Sequence, residues 1–171
     1  MKMDKAKPEN WLRGKVENVP DLLQPAAHAL LQSKEELRKY LVNFPADELW
    51  TKPAERASVG FHLQHIAGVT KRLITYAKGE QLSEAQLHYL KLEGKADASI
   101  SVEELIIQAE IELSEAVVFL KSQKPEDLTN TVEVGRRRIK SSLIGVLFHA
   151  AEHSQRHIGQ MLVTISVVKD S

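Results

Sequence analysis

Three histidines, His149, His153 and His157, recur at four-residue spacing in the stretch FHAAEHSQRHIGQM. Residues four apart lie one turn apart on the same face of an α-helix, with about 5–6 Å between their Cβ atoms. Two imidazoles placed in this way can bind one metal ion, provided that a third ligand comes from another element. The spacing therefore predicts a site for zinc or another first-row divalent ion on this helix.

The choice among these three histidines depends on which face of the helix is apolar. His153 and His157 share a stripe with Val146 and Met161, so this stripe should face the interior of the protein. His149 shares its side with polar and small residues, and we expect it nearer to the rim. His153 and His157 are therefore the better ligand pair.

A second window, FHLQHIAG, contains His62 and His65 and could supply the third ligand. His62 lies on an apolar stripe with Val59, whereas His65 lies on a mixed edge, so periodicity slightly prefers His62 and leaves both open. A lone buried histidine is more often a hydrogen-bonded core residue, because an unsatisfied buried polar group costs about 1–3 kcal/mol. We expect that role for the isolated His28 and His88.

A competing motif lies in the same stretch, since His149, Glu152 and His153 spell H-x-x-E-H, a zinc-protease motif in which the glutamate is the base. That motif needs a further carboxylate ligand downstream, and no glutamate follows His157. Glu152 also points about 100° around the helix from His153, so we do not expect it to act as a base. The E-x-x-H spacing of di-iron bundles does not occur in a suitable place either.

Four long segments with helical spacing position these histidines. Capping serines and helix-ending glycines or prolines place them at about 21–43, 59–78, 101–123 and 142–166, with a shorter helix at 83–94. TVEV and RRIK around Gly135 predict a small hairpin. The sequence thus predicts an all-α four-helix bundle, with a long crossover that carries the short helix between the second and third long helices. Residues 1–20 are predicted to form an N-terminal arm, and residues 21–171 a single domain.

Composition narrows the possible functions. The 171 residues contain 23 Lys and Arg against 23 Asp and Glu, and no cysteine. A net charge of zero provides no general field for nucleic acid or an anionic membrane. Without cysteine there are no disulfides, thiolate nucleophiles or cysteine-ligated zinc. No apolar run approaches the roughly 18 residues of a membrane span, and we expect a cytoplasmic protein with neither nucleic acid nor membrane as a partner.

Two motifs resemble those of the DinB-like family of metal-dependent enzymes. They are SVGFHLQHI at 58–66 and HSQRHIGQ at 153–160, and the resemblance extends over nearly the whole chain. The family's motif on the last helix is typically H-x-x-x-H-R-G-Q, and Ile158 stands here in place of the arginine. Arg156 cannot simply substitute, because it points about 100° or more away from that position.

The resemblance implies a four-helix bundle, often a homodimer, with a divalent metal on His65, His153 and His157. Zinc or nickel is the expected ion, and the family ligand replaces the slight preference for His62. The candidate pocket or outer residues beside the metal are His62, His149, Arg72, Tyr76 and Tyr89.

The resemblance also implies an activity, since similar proteins include metal-dependent hydrolases, thiol S-transferases and a thiol-dependent maleylpyruvate isomerase. We expect hydrolysis or thiol transfer on a small molecule, with a low-molecular-weight thiol as a candidate partner. The alternative is a non-catalytic helical bundle that binds metal or another ligand, or that dimerises through a bundle face. DNA binding, suggested by the family's link to DNA damage, is disfavoured by the zero net charge and the lack of a DNA-binding motif.

Overall fold

Four long α-helices and one short helix dominate the computed structural model, which describes residues 7–169. In chain order they are α1 (Gln24–Tyr40), α2 (Val59–Ala77), the short α3 (Glu84–Leu92), α4 (Val102–Lys121) and α5 (Leu143–Lys169). Strands β1 (Thr131–Val134) and β2 (Ile139–Ser142) pair antiparallel as the predicted hairpin, and β2 leads directly into α5. The predicted all-α bundle with a short helix in its crossover is confirmed.

The packing order of the helices decides which residues can meet. α2 packs against both α4 and α5, and α1 packs against the same two helices. α1 and α2 therefore occupy opposite corners of the bundle. The largest fully buried side chains come from all four long helices, and they include Leu30, Leu63, Leu113, Leu147 and Met161. Because α2 and α5 share a seam, the two histidine windows of the sequence face each other.

Serine side chains fix the start of three helices where the sequence predicts them. Ser58 Oγ accepts a hydrogen bond from the backbone N–H of Phe61 at 3.1 Å. Ser83 and Ser101 each form a capping box with the residue three positions further on. Such caps contribute about 1 kcal/mol each, because they satisfy N–H groups that have no partner within the helix. These caps set the start of α2, which carries one of the histidine windows, and of α3 and α4.

The first helix is shorter than predicted at both ends. Asp21–Leu23 forms a 3₁₀ turn instead of the first α-helical turn, and α1 begins at Gln24. The helix ends at Tyr40 rather than near residue 43, where Asn43 takes a left-handed conformation with φ 54°. None of the described helices combines the length and the apolar composition that crossing a membrane requires.

The two isolated histidines differ in their surroundings. His28 is half-buried, and its Nε2 lies 2.9 Å from the backbone oxygen of Gly14, as expected of a hydrogen-bonded histidine. His88 is exposed, so the prediction of a core residue is wrong at this position. The physical reason is that α3 lies on the surface of the bundle and contains no buried residue.

Candidate metal centre

Histidines of α2 and α5 converge at the seam between the two helices. His65, His153 and His157 each place one ring nitrogen within 4.8 Å of the others. The Nε2 atoms of His65 and His153 are 3.0 Å apart, and the ring centroids of His65 and His157 are 4.4 Å apart. The fold thus brings together the three imidazoles that the family resemblance selects, in a group that could hold a metal ion.

The spacing of α5 positions two members of this group. His153 and His157 follow each other by one turn, and their ring centroids are 4.7 Å apart. His157 is buried, and Met161, one turn further on, is fully buried. The apolar stripe of α5 therefore faces the interior as predicted.

His62 lies deeper than the other imidazole of α2, with only 2% of its surface exposed. Its Nδ1 atom lies 3.0 Å from Nδ1 of His157, and a hydrogen bond joins the two. This bond occupies Nδ1 of His157, which leaves Nε2 as the nitrogen available to a metal. The position of His62 suits a residue that orients His157. We use "histidine cluster" below for His62, His65, His153 and His157.

A buried carboxylate holds the third member, His65. Nδ1 of His65 lies 2.7 Å from Oε2 of Glu93, whose side chain is only 3% exposed. An ionised carboxylate only accepts hydrogen bonds, so Nδ1 carries the proton and Nε2 presents a lone pair to the cluster. Arg72 donates from its Nη1 to the other oxygen of Glu93. The order Arg72–Glu93–His65 corresponds to the carboxylate–histidine arrangement that is usual behind metal ligands.

A glycine on α2 makes room for this contact. A Cβ atom added to Gly68 would lie 2.2 Å from Oε1 of Glu93 and 2.6 Å from Nη1 of Arg72. It would also lie 2.8 Å from the ring of Tyr89. Any larger residue at position 68 would therefore displace the carboxylate from its place behind His65.

The sequence does not predict Glu93. The residue is the C-cap of α3, where the backbone leaves the helix, and it is separated from His65 by 28 positions. Gly94 follows it with φ +78°. A glycine at the end of a helix is the only local signal at this place, and it marks the turn rather than the contact.

Three imidazoles of the cluster, His62, His153 and His157, are suited to a cation because burial keeps them neutral. Burial, followed by the adjacent imidazole of His65, lowers the pKa of His62 and of His153 to about 4 each. Burial and the adjacent His65 and His153 lower the pKa of His157 to about 3. At neutral pH these rings therefore keep the lone pairs that metal binding needs.

One polar atom of the cluster has no protein partner. Nδ1 of His153 is buried and makes no hydrogen bond within residues 7–169. A buried polar atom without a partner costs about 1–3 kcal/mol, so native proteins keep few of them. Three converging imidazoles, one of them incompletely paired, are chemically suited to zinc or another first-row divalent ion.

His149 lies outside this group, near the rim, as predicted. It is exposed, and its Nδ1 lies 2.6 Å from Oε1 of Glu152. Both oxygens of Glu152 also accept hydrogen bonds from Arg156 at 2.6 Å. His149, Glu152 and His153 could form a second group of ligand atoms. The ion pair with Arg156 occupies the carboxylate, however, which agrees with the expectation that Glu152 does not act as a base.

A cavity of about 470 Å³ lies between α2, α3 and α4. Arg72 and Tyr89, two of the predicted pocket residues, line it, whereas none of the four residues of the histidine cluster does. Burial raises the pKa of Tyr89, whose hydroxyl donates to the backbone oxygen of Gln64 at 3.2 Å. Tyr76 is not among the residues that line this cavity, and it packs against the hydrophobic core instead.

Comparison with known proteins finds a matching family and proteins of similar fold. The sequence model of the DinB superfamily matches residues 29–161. No curated protein matches the sequence. A protein from Streptococcus pneumoniae of known crystal structure has a TM-score of 0.63 at 14% identity, over 88% of this chain and 91% of its own. An uncharacterised protein from Clostridium difficile 630 has a TM-score of 0.64 at 13% identity, over 89% of this chain and 98% of its own. At such identities, the likeness to these structures shows the fold alone.

Proposed function

Because the chain belongs to the DinB superfamily, we propose that it is a metal-dependent enzyme whose divalent ion is bound by His65, His153 and His157. The observation that best supports this proposal is the contact from Arg72 through Glu93 to His65. A histidine that only fills space in the core needs no buried carboxylate behind it, whereas a histidine ligand usually has such a partner. Zinc or nickel is the proposed ion.

Different contacts orient the proposed ligands before any ion binds. Glu93 fixes the proton of His65 on Nδ1, and His62 engages Nδ1 of His157. Phe61 stacks on His65 with ring centroids 5.2 Å apart and an angle of 14° between the planes, which keeps water from one face of the ring. Such support matters because a ligand set that is already in place loses less conformational freedom on binding.

The proposed reaction is hydrolysis or thiol transfer on a small molecule. A divalent ion on three protein ligands supplies Lewis acidity at an open position, where water, a thiol or a substrate oxygen can bind. The cavity of about 470 Å³ lined by Arg72 and Tyr89 falls in the size range of small-molecule sites, roughly 300–1,000 Å³. These features favour a compact substrate over a macromolecule.

Metal content tests the proposal directly. Elemental analysis would compare the untagged protein with the variant His153→Ala/His157→Ala and with a matched control, His28→Ala/His88→Ala. We expect about one ion per chain in the wild type and in the control, and none in the first variant, because only that variant loses ligands. The absence of bound metal after loading with Zn²⁺ and Ni²⁺, or equal content in both variants, would contradict the proposal.

A further inference from the structure

A smaller cavity, of about 260 Å³, lies near the N-terminal end of α2. Two of its walls belong to residues that contact His65, since Phe61 stacks on that ring and Glu93 bonds its Nδ1. Four residues of the segment 52–57 also line it. We call this space the 52–57 cavity. A molecule bound in it would lie beside the proposed metal ligands.

The 52–57 cavity has an excess of available positive charge. Lys52 and Arg56 both line it, and neither side chain makes an ion pair or a hydrogen bond with any of the residues 7–169. The carboxylate of Glu93 is already engaged by Arg72 and His65. Glu55 is the remaining acidic residue of the lining, and it is exposed to solvent. Two free cations against one exposed carboxylate favour an anionic ligand.

The backbone of this segment is unusual in a way that brings both cations to one cavity. Ala54 and Glu55 take left-handed conformations, with φ 47° and φ 57°, although neither is glycine. Residues other than glycine seldom adopt this conformation, and such strain is concentrated at functional sites. Pro53 restricts the backbone at the start of the turn, and Arg56 is the first residue after the turn. The turn therefore places Lys52 and Arg56 on the same wall.

We propose that Lys52 and Arg56 bind an anionic group, a carboxylate or a phosphate, of the small molecule that reacts at the histidine cluster. The reactive end of that molecule would reach the metal, and its anionic end would lie in the 52–57 cavity. Arginine and lysine both form charge-assisted hydrogen bonds with such groups, and arginine can do so through two parallel bonds. This inference rests on the proposed function, because it concerns the same site.

A pair of thiols that differ only in charge tests the inference. The Co²⁺-loaded protein would be titrated with 3-mercaptopropionate and with its neutral amide, and the thiolate-to-cobalt absorption would report binding. We expect the wild type to prefer the carboxylate by about tenfold, as two partly exposed ionic contacts would give. In Lys52→Met/Arg56→Met the preference should vanish, while the affinity for the amide stays unchanged. Lys91→Met/Arg137→Met, which removes two exposed cations elsewhere, should keep the preference.

The Co²⁺ spectrum of the wild type separates this inference from the proposed function. Normal Co²⁺ spectra with equal affinities for the two thiols, or a preference that persists in the Lys52/Arg56 variant, would overturn the inference alone. A missing Co²⁺ spectrum in the wild type would overturn the metal centre, and the inference with it. Loss of the preference in both double variants would assign it to net charge, and would also overturn the inference.

Discussion

Replacement of Glu93 by glutamine tests whether the buried carboxylate prepares His65 to bind a metal. The substitution keeps the shape of the side chain and removes its charge. In the structure one carboxylate oxygen lies 2.7 Å from Nδ1 of His65, and the other accepts a hydrogen bond from Arg72. A glutamine has one oxygen and one NH₂ group, so an NH₂ donor must face either Nδ1 of His65 or Nη1 of Arg72. The nitrogen that faces it loses its acceptor.

The size of the effect follows from these contacts. Loss of the hydrogen-bond partner behind a metal-binding histidine typically costs 10–100-fold in affinity. We therefore expect the Kd for Zn²⁺ to rise by about 10–100-fold in Glu93→Gln, the equivalent of about 1.4–2.8 kcal/mol. The guanidinium of Arg72 is only 8% exposed, and it loses its counter-charge. Removal of one partner of a buried pair costs up to about 3–5 kcal/mol, so the free energy of unfolding should also fall.

A matched control separates affinity from stability. Glu112→Gln makes the same chemical change at another buried carboxylate, which is 10% exposed and lies 2.7 Å from Nζ of Lys71. Within residues 7–169, Glu112 forms no hydrogen bond or ion pair with a histidine. Competition against a chromophoric chelator would give the Kd for Zn²⁺, and chemical denaturation would give the free energy of unfolding. Both variants should be less stable, but only Glu93→Gln should bind metal more weakly.

The reasoning would be refuted if Glu93→Gln bound Zn²⁺ within twofold of the wild type, because His65 would then not depend on the carboxylate. An equal loss of affinity in Glu112→Gln would assign the effect to general destabilisation. If Glu93→Gln does not fold, the double variant Arg72→Met/Glu93→Gln removes the unpaired cation together with the carboxylate. The same loss of affinity is expected in that background.

Two further predictions concern the surroundings of the ligands. Gly68→Ala should displace the carboxylate behind His65 and weaken Zn²⁺ binding by about tenfold or more in the chelator competition. Gly159→Ala, whose Cβ would meet no atom within 4 Å, should leave affinity unchanged and raise the free energy of unfolding by about 0.5–1 kcal/mol. His62→Ala should weaken Zn²⁺ binding by about tenfold in the same assay, because His157 loses its partner. His149→Ala, at an exposed position, should bind Zn²⁺ as the wild type does; an equal effect of both histidine variants would contradict the assigned role of His62.

Helical periodicity located the seam but could not choose between the two imidazoles of α2. This helix packs against both α4 and α5, and residues on most of its sides are buried. An apolar stripe on such a helix does not point to one neighbour. Periodicity therefore favours the most buried ring, His62, whereas the ring that converges with His153 and His157 is the half-buried His65. The family motif selects His65 over His62 because it specifies a position in the sequence and does not depend on burial.

Local sequence rules predict the ends of the helices, but they do not predict the contact between Glu93 and His65. Caps and turn residues act over three or four positions, and they predict where α3 begins and ends. The contact itself joins residues 28 positions apart. It depends on how α3 crosses α2, and on the absence of a Cβ at Gly68. No periodicity in the sequence contains that information, because it arises only when two elements pack together.

Ile158 shows how burial changes the interpretation of a motif. The motif of the last helix in the family that the sequence resembles has an arginine after the second histidine, and Ile158 takes its place here. In this chain Ile158 is only 2% exposed and belongs to the hydrophobic core. A guanidinium in that space would need a buried partner. Among the described residues, the buried guanidinium that does reach the histidine cluster is that of Arg72, which acts through Glu93. The buried charged pair at this site, Arg72 and Glu93, thus comes from α2 and from the end of α3, whereas α5 contributes imidazoles and apolar packing.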